Sequence, residues 1–165
     1  MRAIPVPCLF AVALAACQPP AARQPNPSQA IAEGRAVAII ARTLQEQGKP
    51  AAEGRDVQLT GVKPLHADVV TVDQSIAIVY LTEQDLALID AAADLPPRPA
   101  GDDFWVTQGA GPDAATIVLL LDASNYRYDD LAGEQHETTS IVAENRLTRD
   151  VRDFVVAAAR HVRKR

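Results

Sequence analysis

Cysteine is almost absent from this chain: of 165 residues only Cys8 and Cys17 carry a thiol. A small fold stapled by several internal disulfides is thereby excluded. Aromatic residues are scarce as well, at 4% with a single Trp, so Val, Ile and Leu have to fill the interior. Long apolar runs are lacking too; the run that opens the chain, Ile4 to Ala16, falls short of the roughly 20 residues that a membrane-spanning helix needs. Bases are outnumbered 16 to 21, and a formal net charge of −5 argues against a nucleic-acid partner. No Gly-x-Ser-x-Gly turn, zinc-type spacing, phosphate-cradling glycine loop or Rossmann fingerprint occurs. His66, His136 and His161 lie far apart in sequence, and there is no internal repeat.

What the N-terminus does contain is a processing pattern. Arg2 supplies one positive charge, an apolar stretch interrupted by Pro5 and Pro7 follows, and small residues close it, which describes an export signal that is later removed. The four residues Leu14, Ala15, Ala16 and Cys17 resemble the lipobox of bacterial lipoproteins, a resemblance confined to the first seventeen positions. It implies cleavage between Ala16 and Cys17, a diacylglyceryl thioether on Cys17 and, in Gram-negative bacteria, a further amide-linked acyl chain. Gln18 in place of Asp implies the outer membrane, at its periplasmic face. Two or more chains hold stably, at about 0.8 kcal/mol per buried methylene. Thioether attachment also gives the single cysteine left after processing a chemical role. The alternative is ordinary secretion with cleavage after Ala15 or Ala16, giving a soluble periplasmic or secreted product. No cofactor beyond the covalent lipid is expected.

Removal of the first 16 of 165 residues leaves 149, enough for one self-sufficient core. Residues 17–27, with Pro19, Pro20, Pro25 and Pro27, read as a lipidated tether, and 28–165 as a single domain. Ser28 is expected to cap a first helix whose buried face is Ala30, Gly34, Val37, Ala38, Ala41 and Leu44, with Ile31 and Ile40 beside it, ended by Gly48 and Pro50. Strands are expected at Asp56 to Val62, Ala67 to Val72 and Ser75 to Leu81, the last two forming a hairpin through Asp73-Gln74. The strand Ser75 to Leu81 is apolar on both sides and therefore central. Thr82 and Asp85 resemble a capping box for a helix from Glu83 to about Ala93 that buries Leu86, Ile89 and Ala93.

Thr116 to Leu121 is the strongest strand signal, and Glu137 to Ala143 is expected to return beside it in a second hairpin. A last helix capped by Thr148 places Val151, Phe154, Val155, Ala158 and Val162 on one stripe, with Asp150 and Asp153 in its first turns. The fold expected is α+β: an antiparallel or mixed sheet of about five or six strands with three helices packed mainly on one face. A doubly wound parallel sheet is the alternative.

Charge is unevenly distributed. Pro64 to Ser140 holds fourteen acids against Arg98 and Arg127, a local balance of −12, whereas Ile141 to the end holds seven bases against three acids. This is either a solvated face partly neutralised by a basic helix, or a surface that meets a cationic partner. Trp105, in a proline- and glycine-rich excursion, is either a cap on the core or a partner-contact anchor. Asp102 and Asp103 read as turn residues or, against the geometry of adjacent side chains, as acid–base carboxylates. Asp129, Asp130 and His136, with Glu134 and Glu137, form a weak candidate cation site whose spacing is not that of a calcium loop.

The expected function is that of a non-catalytic accessory or assembly domain, anchored in the envelope by lipid and binding another envelope protein with a basic surface. The competing expectations are a small-ligand or cation-binding lipoprotein and a hydrolase with an unrecognised site. A deep pocket lined by His136 and acids favours those two; a flat acidic surface with Trp105 exposed favours protein association.

Overall fold

A computed structural model describes residues 28–59, 63–89, 95–99, 101, 103–129 and 138–162. The expected processing site Ala16-Cys17 and the expected tether to Pro27 lie outside the described residues. In chain order the elements are β1 (Gln29–Ala30), α1 (Glu33–Glu46), β2 (Ala51–Val57), β3 (Leu65–Thr71), β4 (Ile76–Leu81), α2 (Glu83–Leu88), β5 (Val106–Gln108), β6 (Ile117–Asp122), β7 (Arg127–Tyr128) and α3 (Ser140–Val162). The architecture is α+β, with a five-stranded mixed sheet in the order β2-β3-β4-β6-β5 and a separate β1-β7 pair. Only β4 and β6 run parallel; the other neighbours in the main sheet are antiparallel.

The hairpin between β3 and β4 turns at Asp73-Gln74 as expected, with Gln74 at φ 55°. Asp73 organises it: Oδ1 accepts from the Thr71 hydroxyl at 2.6 Å and from the Ser75 amide at 3.1 Å, while Oδ2 takes the Lys49 ammonium at 2.7 Å. All six β4 residues are buried. Ile76, Ile78 and Tyr80 join the core beneath α1 and α3, and Ala77, Val79 and Leu81 join a second core on the opposite face. Tyr80 donates its buried hydroxyl to the Ile31 carbonyl at 2.9 Å, and burial pushes its pKa up to about 12.

The second core explains how one sheet is covered on both sides when both long helices lie on one face. The sheet curls until its edges meet beyond β2 and β5: Leu59 bridges Gly109, and the Ala110 amide donates to the Gln58 carbonyl at 2.7 Å. Val57, Leu59, Ala67, Val70, Val118 and Leu120 fill the inside of that curl, with Leu86, Ile89, Leu95 and Trp105 packed against it.

Several sequence expectations are corrected. Ser28 does not cap α1, because residues 29–31 are claimed by pairing: β1 joins β7, and the Ile31 amide donates to the Tyr126 carbonyl at 3.2 Å. Ala32 is the N-cap, without a side-chain bond. The buried stripe of α1 is Ala36, Ile39, Ile40, Thr43 and Leu44, whereas Gly34 and Ala38 are exposed. Bulky aliphatic residues remove far more area from water than an Ala/Gly seam, and they set the roll of the helix. The end at Gly48 is as expected: φ is 70°, and the Lys49 amide returns to the Leu44 carbonyl at 2.9 Å in a Schellman turn.

β2 begins at Ala51 rather than Asp56, since an edge strand with mostly solvated side chains carries little alternation. The capping box at Thr82 and Asp85 forms, but α2 ends at Leu88 with no fully buried residue; the expected contact at Ala93 lies outside the described residues. Residues 140–143 are helix, not the returning strand expected over Glu137 to Ala143, and the antiparallel neighbour of β6 is β5, which precedes it in the chain. β-branched Ile141 and Val142 mimic a strand, but Ala143, Leu147, Val151, Phe154, Val155 and Ala158 make one continuous buried stripe. Thr148 is therefore mid-helix, its hydroxyl donating to the Glu144 carbonyl at 2.9 Å, and Asp150 and Asp153 are far from the helix start.

Ion pairs tie the parts together. Arg35 of α1 grips Glu144 of α3 through two bonds of 2.8 and 2.7 Å, holding that carboxyl below its usual range. Asp113 is lowered by Arg55 and by the Gln58 amide. Burial works to raise Asp73, but the Lys49 ammonium and the Thr71 and Ser75 hydroxyls outweigh it, and the net shift is strongly downward.

Each of these three groups adds stability above an unfolded pKa of about 4 that is lost as pH falls through the lower folded value. Asp68 has the opposite sign: burial raises its pKa, so its protonation favours the fold. The net expectation is a urea midpoint that drops as pH falls below about 4, with the drop shallower in Asp73→Asn. An unchanged midpoint from pH 7 to pH 3 contradicts these assignments.

Candidate cleft at the end of the parallel strands

The parallel pair β4-β6 ends at Leu81 and Asp122, and a cleft of about 930 Å³ opens beside the end of β6. Crevices at the carboxyl ends of parallel strands are a recurrent ligand position. The floor is the strand end and a 3-10 turn at Ala123–Tyr126; α3 forms one wall, and Arg98, Pro99, Gly101, Asp103, Phe104 and Trp105 form the other. On α3, Arg146, Arg149, Asp150 and Asp153 follow one another at i, i+3, i+4 and i+7, so one helix stripe presents two guanidinium groups and two carboxylates.

Asp122 ends an apolar strand with its side chain only 4% exposed. Its Oδ1 accepts from the Ser124 amide at 2.7 Å and starts the 3-10 turn. Its Oδ2 faces the Arg98 guanidinium in an ion pair. Arg98 also sits over the Trp105 ring, 5.3 Å from the centroid, and the indole N–H donates to the Pro96 carbonyl at 2.9 Å. Behind them Phe104 meets Phe154 edge-on at 5.7 Å. Across the cleft Tyr126 donates to Asp150 at 3.0 Å. Burial, and then the Asp150 charge, push the phenol far above its ordinary pKa. Arg146 donates to the Asn125 carbonyl at 3.0 Å, whereas Arg149 reaches Asp150 only at 3.4 Å.

No protein-family model, curated protein or solved structure matches this chain.

Trp105 is half-buried: it packs against the inner core, and the Arg98 guanidinium of the same chain lies over its ring. Asp129 spends its carboxylate on the Thr138 amide at 3.1 Å and its own amide on the Thr138 carbonyl at 2.9 Å, clamping the two ends of the stretch between them. Asp130 and His136 lie outside the described residues, as does Asp102. Asp103 is exposed at the cleft rim. His66 is on the surface, 2.8 Å from Asp56.

Among the described residues no three His, Cys, Asp or Glu side chains are grouped to hold a metal ion, and no helix is long and apolar enough to cross a membrane. Asp122, Asp150 and Asp153 each face an arginine, so the cleft offers paired charge beside aromatic surface. Sequence reasoning did not single out Arg98, Asp122, Tyr126 or Arg146. The usable signals were an acid closing an apolar strand and one of only two bases inside an acidic stretch.

Proposed function

We propose that the chain is a lipid-anchored, non-catalytic domain of a bacterial envelope, held through Cys17 at the periplasmic face of the outer membrane, and that it works by binding another envelope protein. The observation that carries this reading is Leu14-Ala15-Ala16-Cys17 followed at once by the proline-rich stretch to Pro27. Ten residues in polyproline geometry reach about 30 Å, enough to hold a domain clear of the bilayer. The fold supports such an attachment. Arg127 binds both the carbonyl and the hydroxyl of Ser28 and pairs with Glu83 at 2.7 Å, so the point where the chain joins the domain is fixed. Exposed Ile141 and Val142 at the start of α3 add apolar surface to the predominantly acidic one.

Mass spectrometry of the processed protein is expected to show a chain beginning at Cys17 and carrying acyl groups; a bare thiol or a retained leader removes the reading. Pull-down from detergent-solubilised envelopes is expected to retain a partner at low salt and to lose most of it at high salt. Absence of any partner under both conditions contradicts the binding role. A second reading, a small-ligand-binding lipoprotein, is favoured by the cleft itself, whose volume lies in the range of ligand pockets.

A further inference from the structure

We propose that the face of Trp105 and the carboxylate of Asp122 form a site for a guanidinium group, that Arg98 of the same chain fills it in the free protein, and that an arginine of the partner protein takes its place. The proposal rests on the partner-binding reading above and names the chemistry of the contact.

Asp122 is the first observation. Among the described residues no donor other than the Arg98 guanidinium serves its Oδ2, although the side chain is 4% exposed. An ionised carboxylate so withdrawn from water is costly without a cation at that oxygen. Trp105 is the second. Its indole N–H is bound to Pro96 and its own carbonyl accepts from the Leu120 amide at 2.8 Å, so the ring is held in place. A fixed ring beside a buried carboxylate supplies the two elements of guanidinium recognition: stacking on one side and charge-assisted hydrogen bonding at the edge.

The third observation is how the occupying arginine arrives. Arg98 comes from Pro96-Pro97-Arg98-Pro99, which belongs to no helix or strand, and its side chain is 52% exposed. It can leave without disturbing either core. The cleft beside it has room for an incoming chain, and the −12 balance of Pro64 to Ser140 draws a cationic one. A tethered arginine competes at an effective concentration on the order of millimolar. A lone small cation therefore loses to it, whereas a peptide that makes further contacts in the cleft wins. That difference makes the partner's arginine, rather than a free small cation, the occupant.

Trp105 is the only tryptophan and reports the site directly by its emission. The full mature chain in detergent is titrated with argininamide, with a blocked tetrapeptide containing one arginine, and with the same peptide carrying uncharged citrulline. In Arg98→Ala, argininamide is expected to give a saturable change at least about tenfold tighter than in the wild type. The double variant Arg98→Ala/Asp122→Asn is expected to give none. In the wild type the arginine peptide is expected to bind at least about tenfold tighter than argininamide, and the citrulline peptide not at all.

No saturable change in folded Arg98→Ala, or the same change in the double variant, overturns the site. Equal binding of peptide and argininamide by the wild type overturns the partner's arginine as its occupant. If Arg98→Ala does not fold, argininamide is expected to restore its circular dichroism spectrum and alaninamide is not; failure of that rescue also overturns the site. Acylation of Cys17 is read by mass, so loss of the anchor and loss of the site appear in separate measurements.

Discussion

Phe154→Ala is expected to lower the unfolding free energy by about 3–5 kcal/mol, the usual cost of emptying a buried aromatic position. Phe154 is 3% exposed within the stripe that joins α3 to the sheet, and its ring is the edge-on partner of Phe104 at 74°. Against a total stability of about 5–15 kcal/mol for a domain of this kind, the loss is large. It corresponds to a fall in Tm of about 10–15 °C.

The effect reaches the cleft as well. Phe104 adjoins Trp105 in sequence, and without the ring beneath it the wall that presents Trp105 and Arg98 loses its support. Even where the variant remains folded, Trp105 emission is expected to become more accessible to a soluble quencher. Val156→Ala on the same helix, at a residue 40% exposed, is expected to change stability by less than about 0.5 kcal/mol. Equal effects of the two substitutions, measured by urea denaturation, contradict the helix face described for α3.

The two substitutions also mark what was legible in the sequence. The face of α3 from Val151 to Ala158 was readable because Val, Phe and Ala recur at helical spacing over several turns. The two turns before it were not, because Thr138, Thr139, Ile141 and Val142 have strand-like composition and only Ala143 and Leu147 continue the stripe. Local propensity yielded there to packing against α1, with Arg35 and Glu144 bonded across the helix pair. β4 was readable as central because both its faces are apolar; what covers its second face was not, since curling brings together Leu59 and Gly109, fifty residues apart. The cleft shows the same limit. Trp105 was singled out as an aromatic residue in a loop, but its partners Arg98 and Asp122 come from separate segments that only the fold makes adjacent.

Gly109→Ala tests the closure that no local pattern announces. A Cβ at Gly109 would stand 2.1 Å from the Asp113 carbonyl oxygen, well inside any tolerable contact. The neighbour cannot easily yield. Asp113 accepts from Arg55 and from the Gln58 amide, each at 2.8 Å, and the Gly109 amide donates to the Thr116 carbonyl at 2.9 Å. A methyl group must therefore push the turn after β5 away from the end of β2 and open the seam where the sheet edges meet. The expected cost is about 3 kcal/mol, at the upper end for overpacking, together with faster hydrogen exchange at the Ala110 amide, which spans that seam. Gly34→Ala supplies the contrast: no atom lies within 4 Å of its Cβ position, on an exposed turn of α1. There the same chemical change is expected to stabilise by about 0.5 kcal/mol, through the reduced freedom of the unfolded chain. Opposite signs for one substitution at two glycines separate backbone crowding from helix propensity. A neutral result at Gly109 means that the seam bears no load and that the inner core, with Trp105 packed against it, is held by the strands alone.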